Sequence, residues 1–174
     1  MRFKFAVIAA FLLAATGFAP AAAATAAPPT PSLAADGFYK IVNDRTQKCV
    51  DVPSASHASG VFLQQWTCHG GDNQRWTPID ERDAFFLLIS KHSPQLCLHV
   101  RDSTIVDQST CDFADPAYRW QWRVANDSGD LVLGSKLPGQ LCLYLDPNTV
   151  RDGAGLRAKP CSNTHPANHW NPVF

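Results

Sequence analysis

Residues Cys49–Trp76, CVDVPSASHASGVFLQQWTCHGGDNQRW, hold two cysteines, a carboxylate between valines, a Trp two places before the second Cys, and an Asn-Gln pair. Apolar residues alternate in Cys49-Val-Asp-Val52, as on a half-buried strand. Val50 and Val52 should point inward, leaving Asp51 on the outward face with Cys49. A carboxylate, an aromatic face and amides converging on one spot suit a polar, uncharged, ring-shaped ligand. Sugars are the commonest of these.

The frame recurs twice downstream, and this repetition is the main organising signal. Cys97-Leu-His-Val100 and Cys142-Leu-Tyr-Leu145 keep the Cys and the inward aliphatics, with His99 and Tyr144 in place of Asp51. Each copy is preceded by an apolar run: Phe38–Val42, Phe85–Ile89 and Leu131–Leu133. Each is followed by a second Cys and then a Trp: Trp76, then Trp120 or Trp122, then Trp170. From one opening Cys to the next the steps are 48 and 45 residues. Such periods fit propeller blades, but three copies are too few to close a propeller of about four or more blades. Three strand-rich units around one core predict an all-β chain, a β-trefoil of three repeats with pseudo-threefold symmetry. A buried Trp would fill the core at the end of each repeat.

Upstream, Met1-Arg-Phe-Lys4 and the apolar run Phe5–Phe18 have the order of a secretory signal, with small-x-small cleavage options after Ala24 or Ala26. The run is short for a membrane span of about 20 residues. The expected organisation is a signal peptide over 1–26, a Pro/Ala-rich linker over 27–36 and a single domain over 37–174. Without Arg2 and Lys4, 13 basic residues face 15 acidic ones, a net charge of −2. That balance provides no footprint for nucleic acid, and no membrane insertion is expected after signal cleavage. Six cysteines in a secreted chain read as three disulfides, although spacing alone leaves on the order of 15 connectivities open. Sequential pairing, Cys49-Cys68, Cys97-Cys111 and Cys142-Cys161, would put one bridge in each third. Cys-x-x-Cys is absent and His165/His169 is the one tidy His pair, so no metal and no cofactor are expected. His57, His69, His92, His165 and His169 read as solvated loop residues.

These residues resemble the ricin B-type lectins, whose β-trefoil repeats end in Gln-x-Trp. Gln74-Arg75-Trp76 matches that signature, Asn168-His169-Trp170 has Asn for Gln, and Tyr118-Arg-Trp-Gln-Trp122 is scrambled. The resemblance covers about Gly37 to Phe174. It implies a sugar site on the outer face of a repeat, built from an Asp two places after the first Cys and an aromatic two places before the second. An Asn preceding Gln-x-Trp completes it, and a Gln two places before the aromatic assists. Repeat one matches throughout with Asp51, Gln64, Trp66 and Asn73, with Gln74 behind them. The corresponding residues are His99, Asp107 and Ser109 in repeat two, and Tyr144, Arg157, Lys159 and Ala167 in repeat three. One sugar site is therefore expected, in repeat one.

The chemistry is intelligible from the residues themselves. A carboxylate can accept from two adjacent hydroxyls, a Trp face packs on the C–H side of a pyranose, and amides both donate and accept. The expected function is that of a secreted, extracellular lectin binding glycans or polysaccharides, with galactose-type sugars favoured by the resemblance. The alternative is a trefoil adapted to protein contacts, as a protease inhibitor or the targeting subunit of a toxin. No Gly-x-Ser-x-Gly, His-Glu-x-x-His or phosphate loop is present, so no enzyme is expected.

Overall fold

The computed structural model describes residues 36–162 and 165–174. The expected signal peptide and the expected linker up to residue 35 lie outside the described residues. Asp36, at the end of the expected linker, is tied to the domain: Arg75 Nη2 donates to its Oδ1 at 2.7 Å, and Lys91 Nζ to its Oδ2 at 3.0 Å.

Among the described residues all regular structure is β apart from four single-turn 3-10 segments. Repeat one supplies β1 (Lys40–Asn43), β2 (Lys48–Asp51), β3 (Val61–Phe62), β4 (Gln64–Thr67) and β5 (Trp76–Arg82). Repeat two supplies β6 (Phe85–Ser90), β7 (Ser93–Arg101), β8 (Ile105–Thr110) and β9 (Trp120–Val124). Repeat three supplies β10 (Leu131–Ser135), β11 (Leu141–Tyr144), β12 (Ala154–Gly155), β13 (Arg157–Pro160) and β14 (Trp170–Val173).

The pairing is cyclic. The last strand of each repeat runs antiparallel to the first strand of the next: β5 with β6, β9 with β10, and β14 back to β1. These six strands form the barrel, and the hairpins β2–β4, β7–β8 and β11–β13 cap it. This is a β-trefoil. Each hairpin keeps the same register, with Asp51 opposite Gln64, His99 opposite Asp107, and Tyr144 opposite Arg157. One disulfide lies in each repeat: Cys49–Cys68, Cys97–Cys111 and Cys142–Cys161.

Where the three hairpins meet, the backbone closes a ring. Leu63 N–H donates to Val106 O at 2.9 Å, Val106 N–H to Leu156 O at 3.4 Å, and Leu156 N–H to Leu63 O at 2.9 Å. All three side chains are fully buried, so these peptide groups have no water to turn to and must satisfy one another. Around them pack Val50, Val52, Leu98, Val100, Leu143 and Leu145, the inward aliphatics of the three Cys strands.

Trp76, Trp120 and Trp170 are fully buried in the same core. Trp120 is therefore the repeat-two counterpart, while Trp122 packs against the core only in part. Trp120 Nε1 donates to Leu98 O at 2.9 Å, and Trp170 Nε1 to Leu143 O at 3.1 Å. Burying an indole asks for such a partner for its single N–H.

Candidate functional site

A cleft of about 390 Å³ opens on repeat one, between β2, β4 and the two 3-10 turns Pro53–Ala55 and Asp72–Gln74. Asp51, Gln64, Trp66 and Asn73 all line it, together with His69. Gln74 is fully buried and stands behind the cleft.

Asp51 departs from the expected outward placement: it is only 3 % exposed and forms the floor. The residues that follow it cover it. The chain turns over at Pro53, and Val52 N–H donates to Asn73 O at 3.1 Å, drawing the second turn across. A buried carboxylate needs donors, and three side-chain amides supply them. Gln64 Nε2 donates to Oδ1 at 2.8 Å, while Asn73 Nδ2 and Gln74 Nε2 each donate to Oδ2 at 2.9 Å. A carboxylate offers about four lone-pair positions. With three occupied, Oδ1 keeps room for about one more donor, fewer than the two hydroxyls expected.

Trp66 lies across the hairpin from Cys49 and is 40 % exposed, so its ring forms an open wall. Gln74 cross-links the cleft floor, its Oε1 accepting from His69 N–H at 2.8 Å and its Nε2 also donating to Thr67 O at 3.2 Å. The loop carrying Ser54 and Ala55 holds both at positive φ, 53° and 48°. Repeat two pins it in that strained form: Gln108 Nε2 donates to Ser56 O at 2.6 Å and to Ala58 O at 2.9 Å.

His69 is an exposed loop residue, as the sequence suggests, and it also lines this cleft. Its Nδ1 accepts from Gly71 N–H at 2.9 Å. The neutral ring then carries its proton on Nε2, which lies 3.7 Å from Asp51 Oδ2. Its position directly after Cys68 was the one available signal. A Cβ on Gly71 would lie 2.6 Å from Asn73 Oδ1 and 2.7 Å from His69 Cε1, so the backbone approaches both only because this residue is glycine.

The flank of the cleft comes from the far end of the chain. β12 pairs with β4, and Gly153 N–H donates to Gln65 O at 3.0 Å. Asp152 fastens this flank: it accepts from Thr67 N–H and lies 2.6 Å from Lys48 Nζ. The Lys48 hydrogen bond, helped by Thr67, holds the Asp152 carboxyl below the usual range.

The equivalent positions elsewhere have changed chemistry. In repeat two, Asp107 is fully buried beneath the hairpin, 2.5 Å from Arg101 Nη2 and 2.8 Å from His99 Nδ1. His99 is in turn stacked on Tyr118 at 4.3 Å. Asp107 thus lies against a charged or titratable partner of its own repeat at each oxygen. Repeat three carries Tyr144, Arg157 and Lys159, with Ala167 where repeat one has Asn73.

His169 and His92 depart from the solvated expectation. His169 is only 5 % exposed and its Nδ1 lies 3.3 Å from Asp130. It occupies the middle place of Asn168-His169-Trp170, where the strand enters the barrel beside two turns. Asp44, Asp130 and His169 bring ligand-type atoms within 4.8 Å of one another, and burial, then Asp130, push the Asp44 carboxyl up. Asp44 accepts from Asn171 and Asp130 from Asn126, so amides tie both carboxylates into the turns. His92 is half-buried because it bridges Ser90 Oγ at 2.5 Å and Ser56 O at 2.9 Å.

Residues 31–112 match the family described as ricin-type beta-trefoil lectin domain-like. By that match and by its β-trefoil fold, the chain is similar to this family of lectin-type domains. The designed threefold-symmetric protein ThreeFoil superposes with a TM-score of 0.72 at 27 % identity, over 80 % of this chain and 99 % of its own. The earthworm R-type lectin C-half, solved in complex with GalNAc, gives 0.62 at 18 % identity, over 79 % and 98 %. Among curated proteins, the clotting factor G alpha subunit of Tachypleus tridentatus is 36 % identical over 53 residues. That stretch is 30 % of this chain and 8 % of that subunit, so the chain corresponds to a small part of this relative.

Proposed function

We propose that the chain is a secreted, non-enzymatic carbohydrate-binding protein whose sugar site is the repeat-one cleft, with galactose-type sugars as its ligands. The observation that carries this is a carboxylate held by three amides beneath an open Trp face. Asp51 Oδ1 takes one hydroxyl, and Gln64 Oε1 and Asn73 Oδ1 offer neighbouring acceptors. His69 Nε2–H supplies a donor. The C–H face of the sugar packs on Trp66, where apolar burial adds affinity that a hydroxyl network alone does not provide. The GalNAc complex of the earthworm lectin supports the galactose direction.

A binding role is favoured over hydrolysis by the donor set. Asp51 is the one carboxylate among the described residues lining the cleft, whereas glycoside hydrolysis ordinarily takes a pair roughly 5–10 Å apart. A single shallow site implies a monosaccharide Kd of about 1 mM, or about −4 kcal/mol, with avidity arising from multivalent surfaces. A glycan array comparing the wild type with Trp66→Ala tests this. Galactose-terminated glycans should retain the wild type, and the variant should lose them with an unchanged melting temperature. Equal retention of both proteins refutes the site. Nanomolar inhibition of a protease panel without glycan retention would favour the protein-contact alternative.

A further inference from the structure

Repeat three has a cleft of its own, about 380 Å³, at the place equivalent to the Asp51 cleft. It is lined by Tyr144, Asp146, Arg157 and Lys159, with Thr104 contributed by repeat two. Through the shared hairpin register, Tyr144 stands for Asp51, Arg157 for Gln64 and Lys159 for Trp66. A cleft is present in both while the electrostatics are inverted: a tyrosine stands in place of the carboxylate, and two cations in place of Gln64 and Trp66.

Among the described residues neither cation is neutralised by an ion pair. Arg157 Nη1 reaches only the carbonyl of Leu156, at 3.4 Å. Lys159 Nζ sits 4.3 Å from the centroid of the Tyr144 ring. The ammonium covers the aromatic face, so no open platform is left for a neutral pyranose. The ring's quadrupole also favours this placement of the ammonium. Asp146 adds one carboxylate at the rim, and its Oδ1 accepts from Asn148 N–H at 2.9 Å. Two cations and one carboxylate leave a net charge of +1 on the lining. A bare polyanion would meet Asp146 unfavourably. A singly charged ligand that also carries hydroxyl donors matches both signs.

We propose that the repeat-three cleft is a second saccharide site, selective for a sugar ring bearing one negative charge, either a uronate carboxylate or a sulfate ester. Arg157 and Lys159 hold the oxyanion, the guanidinium by a forked pair of N–H donors. Asp146 and the Tyr144 hydroxyl take ring hydroxyls. The proposal rests on the reading of the domain as carbohydrate-binding, but it uses a different cleft from the one assigned to neutral sugars.

The test is a set of amide-detected NMR titrations of the full chain at about 50 mM salt. The probes are methyl glucuronide, galactose 6-sulfate, galactose and inorganic sulfate. One or both charged sugars should shift resonances of Tyr144, Arg157 and Lys159, and which of them does so identifies the anion. Arg157→Gln and Lys159→Gln should each weaken that binding at least tenfold, and about 300 mM salt should weaken it further. Asp51→Asn should leave it unchanged while abolishing shifts caused by galactose around Trp66. The proposal is overturned if neither charged sugar shifts this cleft, or if inorganic sulfate binds there as tightly as the sugars do. Loss of galactose shifts in the wild type, with charged-sugar shifts intact, would instead count against the repeat-one site.

Discussion

Substituting Asp51 separates its two roles, because Asn and Ala remove different things. Asp51→Asn can keep every buried amide satisfied. Its carbonyl oxygen takes the place of Oδ2 and continues to accept from Asn73 and Gln74. Gln74 cannot turn over to suit the alternative orientation, since its Oε1 accepts from His69 N–H and its Nε2 donates to Thr67 O. The new NH2 group therefore occupies the place of Oδ1, where half-exposed Gln64 rotates its amide and accepts. What is lost is charge assistance in three hydrogen bonds, together about 1–3 kcal/mol. Asp51→Ala instead leaves the fully buried Gln74 amide short of an acceptor and opens the floor, a loss of about 3–5 kcal/mol. In thermal unfolding, Asn should lower Tm by roughly 3–10 °C and Ala by roughly twice that. Both should lose retention on galactose resin, Asn because a donor now stands where the hydroxyl needs an acceptor. Equal melting of the two variants refutes Asp51 as the hub of the amide network. Resin retention by Asp51→Asn refutes its role toward the ligand.

Trp120→Ala should cost about 3–5 kcal/mol in urea denaturation, and Trp122→Ala distinctly less, since only Trp120 is fully buried. Reversal of that order would remove Trp120 from the core triad. Gly71→Ala places a Cβ 2.6 Å from Asn73 Oδ1 and should weaken glycan retention more than it lowers Tm; unchanged retention would mean that this rim does not touch the ligand. Asp152, Asp36 and Asp80 are held below the usual carboxylate range, chiefly by hydrogen bonds from Lys48, Lys91 and Arg119 respectively. Depressed carboxyls lend stability that is complete above about pH 4 and drains as pH falls through their lower folded values. Asp44, raised by burial, works in the opposite direction and offsets part of that loss. Urea midpoints between pH 5 and pH 2.5 should therefore fall less steeply in Asp152→Asn than in the wild type, and parallel slopes would contradict the assignment.

The frame was legible in the sequence because local chemistry enforces it. Cys-apolar-polar-apolar spells a strand with one face in the core, and three copies of it close a trefoil. Trp120 and Trp122 could not be told apart, since both sit at even spacing on one strand and only the neighbouring repeat decides which enters the barrel. The burial of Asp51 was invisible for a similar reason. Alternation tells which way a side chain leaves its own strand, not what a later turn lays over it. The role of Asp152 is not legible locally because it depends on a meeting between distant segments. Lys48 and Asp152 are separated by 104 residues in the chain and by 2.6 Å in space.

The ring joining Leu63, Val106 and Leu156 is made of peptide groups alone. Side chains at the hairpin surfaces take no part in it, so this one joint between the three lobes is indifferent to what each lobe displays. A lobe can exchange a carboxylate for a tyrosine, or an indole for an ammonium, without loosening its neighbours. Faces on different lobes can then differ in chemistry on one scaffold, and a protein built in this way can carry one specificity in one lobe and another in its neighbour.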